Sequence, residues 1–249
     1  MVVEPLLYEH NFAPAAALIA DPTRAAILRA LLPGRPLAAG ELARAAGVEA
    51  ATASHHLGKL LDGGMVAVAQ QGRHRYYRLA GYEVAAALEA IGLISPVVPA
   101  NSLRQSGEAR ALAQARTCYD HLAGRAGVEL FDALLREGLL AGDGLAGDGL
   151  AGDGLGGQLE VTRAGAEKLR SFGIDIDEVR RGRRQFAAAC MDWTERRRHL
   201  KGALAAAITG RLFALGWIEH GVRRRSVLVT EAGARGLAQT FGWSHLAQE

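Results

Sequence analysis

The sequence has little cysteine, no long apolar run and little net charge. Its 249 residues include only two cysteines, Cys118 and Cys190, which are too few for the disulfide framework of a small secreted fold. No run of about 18 apolar residues occurs, so we expect no membrane-spanning helix. The first residues include Glu4 and Glu9, where a secretory signal has a basic start and an apolar block. We therefore expect a cytoplasmic protein with no membrane partner and with both cysteines as thiols.

The formal net charge of +3 is distributed unevenly along the chain. From Asp21 to Ala80, eight basic residues stand against four acidic ones, and from Ile176 to Ser226 twelve stand against five. Between these two regions, Leu139 to Glu160 contains four acidic residues and no basic one. A basic module is typical of nucleic-acid binding, because neutralising phosphates releases counterions. It is also typical of an ordinary solvated surface, so charge alone does not decide the function.

The first third of the chain shows the pattern of a helix-turn-helix followed by a β-hairpin. Glu41 to Ala46 and Ala50 to Leu61 predict two short helices joined by a turn at Gly47. Two extended runs joined around Gly72 predict a hairpin, and Tyr82 to Ile94 predict a further helix. The order of elements predicts a winged helix-turn-helix.

The second helix of this motif has the residue types of a DNA-reading helix. Small residues at Ala50, Ala51 and Ala53 would let it enter a major groove, whereas Leu57 and Leu60 are expected to face the core. Polar side chains near its N-terminal half can reach base edges, and the basic hairpin can reach phosphates. The residues predicted to contact DNA are Thr52, Ser54, His55, Lys59, Arg73, Arg75 and Tyr76.

Three further motifs stand out in the N-terminal segment: Ala20 to Leu28, Ser54 to Leu60, and Gly72-Arg73 with Tyr76 to Leu79. Together they resemble the ArsR/SmtB family of bacterial winged-helix repressors, and the resemblance covers residues 10–96. It implies a homodimer held by the first and last helices of this domain, a near-palindromic double-stranded DNA operator, and release when an effector binds.

Both familiar metal sites of that family are missing from the sequence. Glu41 to Arg44, where the family's metal sensors have a Cys-x-Cys motif, contain no cysteine, and the helix from Tyr82 to Ile94 contains no histidine. The resemblance therefore implies DNA binding but leaves the effector open.

The second half contains an internal repeat with a period of about 70 residues. Each copy has a Cys-x-Asp segment, beginning at Cys118 and Cys190, and ends with a Val-Thr-x-Ala-Gly-Ala segment, beginning at Val161 and Val229. The second half also looks like an extension found in a longer subgroup of these regulators. We predict a mainly α fold with short β-hairpins (α+β), in which a winged helix-turn-helix domain precedes two winged-helix-like repeats. The expected bounds are 1–96 for the first domain, 97–105 for a linker, 106–249 for the second domain, and 106–175 and 176–249 for its repeats.

A shorter repeat, Leu-Ala-Gly-Asp-Gly three times in succession, lies between Leu140 and Gly157. Its five-residue period fits neither the nine-residue calcium repeats of β-rolls nor an EF-hand loop with a terminal Glu. We interpret residues 140–157 as a flexible Gly-Asp insert at a hairpin tip.

The duplicated segments also contain the candidate effector residues. If the two copies pack with pseudo-twofold symmetry, two thiolates and two imidazoles converge, which suits zinc or a trivalent metalloid. The alternatives are a thiol redox switch, an organic effector in a cavity between the copies, and a structural role in which the Asp residues cap helices. The candidate metal or effector residues are Cys118, Asp120, His121, Cys190, Asp192 and His199; the candidate cavity residues are Gly124, Gly202, Ala203, Ala207, Tyr119, Trp193 and Trp217.

A second basic cluster lies in the C-terminal repeat, where it would extend a DNA footprint, pair with acidic residues across subunits, or form a solvated face. Its members are Arg180, Arg181, Arg183, Arg184, Arg196, Arg197, Arg198, Arg223, Arg224 and Arg225.

The sequence thus predicts a dimeric, sequence-specific DNA-binding regulator, a repressor that an effector in the duplicated domain releases from its operator. No catalytic constellation is apparent, so we do not expect an enzyme. The rival hypothesis is a metal- or small-molecule-binding protein, or an enzyme, whose helix-turn-helix no longer binds DNA.

Overall fold

A computed structural model describes residues 11–72, 74–96, 102–142, 159–182, 184–222 and 225–244. The Gly-Asp insert from residue 143 onward and most of the proposed linker lie outside these ranges, as do Arg73, Arg183, Arg223 and Arg224. The chain separates into two compact units, residues 1–86 and 87–249, here called the N-terminal and C-terminal units. The boundary falls within a helix, Tyr82–Ile94, and not at the linker expected at 97–105.

The N-terminal unit is a winged helix-turn-helix. Its elements are α1 (Ala13–Ala20), α2 (Pro22–Leu31), β1 (Leu37–Ala38), α3 (Ala39–Ala46), α4 (Ala50–Asp62), β2 (Val66–Gln71) and β3 (His74–Leu79), followed by α5 (Tyr82–Ile94). The strands form an antiparallel sheet in the order β1-β3-β2, with Tyr77 of β3 opposite both Leu37 and Val68. The turn between α3 and α4 passes through Gly47 at φ 68°, a left-handed conformation that favours glycine. The predicted fold class is confirmed.

The junction between α1 and α2 explains the Asp-Pro-Thr-Arg segment. The Asp21 carboxylate caps α2 by accepting a hydrogen bond from the Arg24 backbone N–H at 2.9 Å. The Arg24 guanidinium donates to the Leu18 and Ala17 carbonyl oxygens, at 2.7 and 2.8 Å, and so satisfies the open end of α1. The pKa of Asp21 is lowered, chiefly by the backbone hydrogen bond from Arg24. One segment therefore ends one helix and begins the next.

The C-terminal unit repeats the order hairpin, helix, hairpin, helix. Helix α6 (Leu103–Gln114) leads into the first copy: β4 (Arg116–Cys118), β5 (His121–Ala123), α7 (Arg125–Arg136), β6 (Leu140–Gly142), β7 (Leu159–Val161) and α8 (Arg163–Ser171). After α9 (Ile176–Arg180) the second copy contains β8 (Ala188–Met191), β9 (Arg198–Lys201), α10 (Ala203–Ala214), β10 (Ile218–His220), β11 (Val227–Val229) and α11 (Glu231–Phe241). Each hairpin is antiparallel.

The Val-Thr-x-Ala-Gly-Ala segments join the second hairpin of each copy to its last helix. Thr162 accepts a hydrogen bond from the Gly165 N–H at 3.0 Å and donates its hydroxyl to the Gly138 carbonyl at 2.7 Å. Thr230 does the same with the Gly233 N–H and the Gly216 carbonyl, both at 2.9 Å. The threonine therefore caps the helix and fixes it to the preceding turn.

The core of the C-terminal unit is shared by the two copies. Phe131 and Leu134 of α7, Leu169 of α8, and Leu237 and Phe241 of α11 lie in one buried cluster. In the described part of the chain, we find no helix both long and apolar enough to cross a bilayer.

Candidate nucleic-acid interface and buried cysteine–histidine cluster

Helix α4 has one buried and one exposed face. Ala53, Leu57 and Leu60 are completely buried and recur at helical spacing, so they fix the helix on α2 and α3. The predicted orientation of Leu57 and Leu60 is confirmed. The prediction that Ala53 lines the groove-facing surface is wrong, because it lies one turn before Leu57 on the core side.

The opposite face of α4 carries the polar residues that the sequence singled out. The exposed side chains on it are Thr52, Ser54, His55 and Lys59, and the exposed Ala50 and Ala51 add no bulk at the start of the helix. Small and polar side chains are the types that a major-groove helix presents to base edges.

The hairpin of β2 and β3, here called the wing, carries further cations in the N-terminal unit. Arg75 is exposed on β3 with its guanidinium 5.9 Å from the centre of the Tyr77 ring, and Tyr76 is half-buried. Arg78 is also exposed on the same strand. Arg73, which the sequence also predicts to contact phosphates, lies outside the described residues.

His56, next to His55 on α4, has a different position that the sequence analysis missed. Its Nδ1 lies 3.5 Å from Oδ1 of Asp21, the residue that caps α2. The side chain is only 14% exposed, so it joins α4 to the start of α2 and does not reach the exposed face. The two adjacent histidines therefore lie on different faces of α4, as a rotation of about 100° per residue requires, although their ring centres are only 5.7 Å apart.

In the C-terminal unit, the first hairpin of each copy contributes one cysteine and one histidine. Cys118 of β4 is the cross-strand partner of His121 of β5, and Cys190 of β8 is the partner of His199 of β9. The six extra residues of the second copy add one strand pair, Met191 with Arg198, and lengthen the loop from two residues to six, so the Cys–His pairing is the same in both hairpins.

Strands β5 and β9 lie against each other, and this brings the two pairs together. The two sulfur atoms and one ring nitrogen of each histidine all lie within 4.8 Å of one another. His121 Nε2 and His199 Nε2 are 3.1 Å apart, and both side chains are about 1% exposed. Cys118 is buried, and Cys190 is half-buried. The four atoms expected to converge do converge.

The two aspartates lie behind the histidines. Asp120 Oδ1 is 3.5 Å from His121 Nδ1, and Asp192 Oδ2 is 3.4 Å from His199 Nδ1. Neither aspartate caps a helix: Asp120 lies in the two-residue turn between β4 and β5, and Asp192 begins the loop between β8 and β9. The alternative that gave them helix-capping roles is therefore wrong.

Each aspartate is held by an arginine from the other copy. Asp192 is completely buried and accepts hydrogen bonds from Arg116 Nη2 at 2.9 Å and from the Gly124 N–H at 2.7 Å. Its other oxygen accepts from the Thr194 N–H at 2.9 Å and the Thr194 hydroxyl at 2.6 Å. Asp120 pairs with both terminal nitrogens of Arg184.

These environments shift the pKa values of the acids. Burial raises the pKa of Asp192, but the charge of Arg116 and the hydrogen bond from Thr194 hold it well below its usual range. Burial also raises the pKa of Asp120, and hydrogen bonds with His121 and Arg184 more than offset it. Both carboxylates are therefore anionic at neutral pH.

The pKa values of the two thiols shift in opposite directions. The pKa of Cys118 is raised, because its thiol donates to Cys190 and because it is buried. The pKa of Cys190 is lowered, because its sulfur accepts from Cys118 and, despite burial, also interacts with His121 and His199. Burial lowers the pKa of His121, but the neighbouring Asp120 and Cys190 raise it by a larger amount, so the net shift is upward. The cluster thus favours a thiolate beside the imidazoles.

Comparisons with known proteins agree with the N-terminal geometry. A family model described as a helix-turn-helix domain matches residues 19–69. The HTH-type transcriptional regulator YdfF of Bacillus subtilis (strain 168) is 40% identical over 223 residues, which are 90% of this chain and 93% of that protein. The chain belongs to the HTH-type transcriptional regulators.

Two solved structures match this regulator over about a third of its length. NolR of Sinorhizobium fredii is 28% identical and covers 34% of this chain and 85% of its own, with a TM-score of 0.32. The cadmium metal-sensor CMTR of Mycobacterium tuberculosis is 34% identical and covers 36% of this chain and 93% of its own, with a TM-score of 0.30.

The second basic cluster of the regulator is not a single unpaired patch. Arg197 pairs with Asp132, Arg225 pairs with Glu89, and Arg184 pairs with Asp120, all within the C-terminal unit. The Arg180 guanidinium lies 4.4 Å from the centre of the Phe186 ring. Several arginines of this cluster therefore pair with acidic residues or an aromatic ring of their own unit.

Two of the small residues predicted to line a cavity, Gly124 and Gly202, pack directly against neighbouring backbone. A Cβ at Gly124 would lie 2.7 Å from the Ala113 carbonyl oxygen, and one at Gly202 would lie 2.7 Å from that of Gln185. These glycines allow close backbone packing. The cavity between Leu122, Leu200 and Ile208 has a volume of about 10 Å³, which is room for a single water molecule.

Proposed function

We propose that this regulator is a dimeric repressor of the ArsR/SmtB type, which reads its operator with α4 and the wing and leaves it when an effector binds in the C-terminal unit. The observation that carries the proposal is the exposed polar face of α4, opposite a fully buried apolar one. This face supplies base contacts, and the wing supplies phosphate contacts. The family resemblance of residues 10–96 supports the repressor role.

The first prediction concerns the different contacts proposed for α4, which are to bases, and for the wing, which are to phosphates. His55→Ala should weaken binding to the operator by about 1–3 kcal/mol while leaving non-specific binding nearly unchanged, because it removes a base contact. Arg75→Ala should weaken binding to all sequences and reduce the slope of log K against log salt by about one, because it removes a phosphate contact. The measurement is a salt-titrated binding assay on a duplex that the wild-type chain selects from a random-sequence pool.

Arg163→Ala is the matched control for charge. Arg163 is 94% exposed on α8 of the C-terminal unit, where it pairs with Glu167. Its removal should change neither the salt slope nor the preference for the selected duplex. If His55→Ala and Arg75→Ala bind the selected duplex with wild-type affinity and salt slope, α4 and the wing are not the DNA-reading surface.

Exposed apolar side chains at α1 and at the end of α5 support a dimer. Helix α1 contains no buried residue although its sequence is almost entirely apolar, and Phe12 just before it is 79% exposed. Ile94 at the end of α5 is 85% exposed, and Ile91 is 37% exposed. Burying such side chains against a second copy removes apolar surface from water, and a twofold interface counts every contact twice.

The second prediction concerns these exposed apolar side chains. Ile94→Glu combined with Phe12→Glu should raise the dimer dissociation constant at least about tenfold, because each large apolar side chain buried contributes about 1.5–3 kcal/mol. Sedimentation velocity over a range of protein concentrations measures it. Leu228→Glu, at a side chain 55% exposed on β11, is the control and should leave the dimer intact. An unchanged dimer in the double variant would contradict the proposed interface.

A further inference from the structure

We propose that Cys118, His121, Cys190 and His199 form a Zn²⁺ site that fastens the two copies of the C-terminal unit to each other. Each copy supplies one sulfur and one nitrogen, from cross-strand partners of its first hairpin. The site belongs to the C-terminal unit alone and does not depend on DNA binding.

The spacing of the four donor atoms suits a tetrahedral ion. Zn–N distances of about 2.0–2.1 Å and Zn–S distances of about 2.3 Å place tetrahedral donors roughly 3.3–3.8 Å apart. The imidazole nitrogens are 3.1 Å apart, and all four donors lie within 4.8 Å of one another. Side-chain rotations that move the donor atoms by about an ångström or less therefore bring all four to tetrahedral distances from an ion.

The carboxylates behind the histidines orient both rings for coordination. His121 Nδ1 and His199 Nδ1 face Asp120 and Asp192 at 3.5 and 3.4 Å, and within the described part of the chain neither buried nitrogen makes a hydrogen bond. With both Nδ1 atoms carrying the proton, both Nε2 atoms present lone pairs to each other at 3.1 Å. A cation between them removes that repulsion, and a carboxylate–histidine–zinc arrangement is the usual outer shell of such sites.

The two carboxylates behind the histidines are themselves held in place by hydrogen bonds. Arg116 and Gly124 hold Asp192, and Arg184 holds Asp120. Anchored carboxylates keep the rings in one orientation, which is what a preorganised site requires.

The donor set selects the metal. Two thiolates and two imidazoles in tetrahedral arrangement favour Zn²⁺ and disfavour Mg²⁺ and Ca²⁺, which need six or more oxygen ligands. All four positions are filled by protein, and both histidines are buried, so the site is closed in the manner of a structural zinc. Ligands from two hairpins separated by about 70 residues then fasten the copies by metal coordination.

The test uses the full-length chain purified from zinc-supplemented culture with reductant and without chelator. We expect about one Zn per chain by elemental analysis, and less than about a tenth of that in the Cys118→Ser, Cys190→Ser double variant and in His199→Ala. Replacement of zinc by Co²⁺ should give the intense visible bands of tetrahedral cobalt together with a sulfur-to-cobalt charge-transfer band. Zinc should also raise the unfolding midpoint of the wild-type chain by several degrees.

Two variants keep the result interpretable. His220→Ala removes an exposed histidine of β10 in the same unit and should retain full metal. His121→Cys converts the ligands to Cys₃His, another common zinc set, and should retain metal with a stronger charge-transfer band. This second variant keeps the proposal testable even if the double serine variant does not fold.

Two outcomes would overturn the proposal. One is wild-type protein with less than about a tenth of an equivalent of zinc and no tetrahedral cobalt spectrum, whether or not mass spectrometry shows a Cys118–Cys190 disulfide. The other is full zinc content in His199→Ala, which would place the ion elsewhere.

Discussion

Replacing Arg116 with Met should lower the free energy of unfolding of the C-terminal unit by about 3 kcal/mol or more. Arg116 is completely buried, and its guanidinium donates to Asp192 at 2.9 Å, to the Thr194 hydroxyl at 3.0 Å and to the Leu112 carbonyl at 3.1 Å. It also lies 4.4 Å from the centre of the Trp193 ring. Methionine fills much of the volume but leaves the Asp192 carboxylate buried without its counter-charge. Breaking a buried pair from one side is strongly destabilising for that reason.

Tryptophan fluorescence during urea unfolding is the direct measurement. All three tryptophans, Trp193, Trp217 and Trp243, belong to the C-terminal unit, so the signal follows that unit and not the winged helix. Arg163→Met is the matched control, because its pair with Glu167 is exposed and contributes less than about 1 kcal/mol. An Arg116→Met variant within about 0.5 kcal/mol of wild type would show that the pair is dispensable.

The sequence predicts the elements of the N-terminal unit closely, because helix starts, turn residues and apolar periodicity determine them locally. Asp21-Pro22 is a helix start, Gly47 is a left-handed turn residue, and the apolar positions of α4 recur with the helical period. The error at Ala53 has the same origin. The small size of Ala53 suggests contact with a groove, whereas its spacing of four residues from Leu57 places it in the core.

The internal repeat predicts that the cysteines and histidines converge, but it does not predict which residues surround them. Equivalent segments of two copies can meet at a pseudo-twofold axis, so matched Cys and His positions are informative. Arg116 breaks this symmetry, because its equivalent in the second copy is Ala188. No local pattern indicates that a lone arginine on a short strand will be buried against Asp192, 76 residues away.

Local sequence patterns also do not predict the boundary between the units. Pro96 and Pro99 suggest a linker, yet the second half of α5 belongs to the C-terminal unit, where Glu89 pairs with Arg225. Long-range ion pairs of this kind leave no periodic signal in the sequence. The close glycine contacts of the repeat are similarly long-range, and they lead to a second strong prediction.

Gly233→Ala should destabilise the C-terminal unit by about 3 kcal/mol, at the upper end of the range for overpacking. A Cβ at Gly233 would lie 1.9 Å from the Trp217 carbonyl oxygen, and the equivalent Gly165 would place one 2.0 Å from that of Leu139. The obstructing atoms are backbone, so a side-chain rotation cannot relieve the overlap. Helix α11 must move away from its hairpin, which also breaks the Thr230 cap. Urea unfolding followed by tryptophan fluorescence measures the change.

Gly210→Ala is the control that separates overlap from helix propensity. Gly210 lies inside α10 of the same unit with no atom within 4 Å of its Cβ position, so alanine there should stabilise by about 0.5–1 kcal/mol. Gly233 is also helical, so helix propensity alone would make alanine raise the free energy of unfolding at both positions. A decrease at Gly233 and an increase at Gly210 would therefore show that the repeated glycine is present for the close approach of helix and turn. Stabilisation by both substitutions would mean that this contact is looser than 1.9 Å implies.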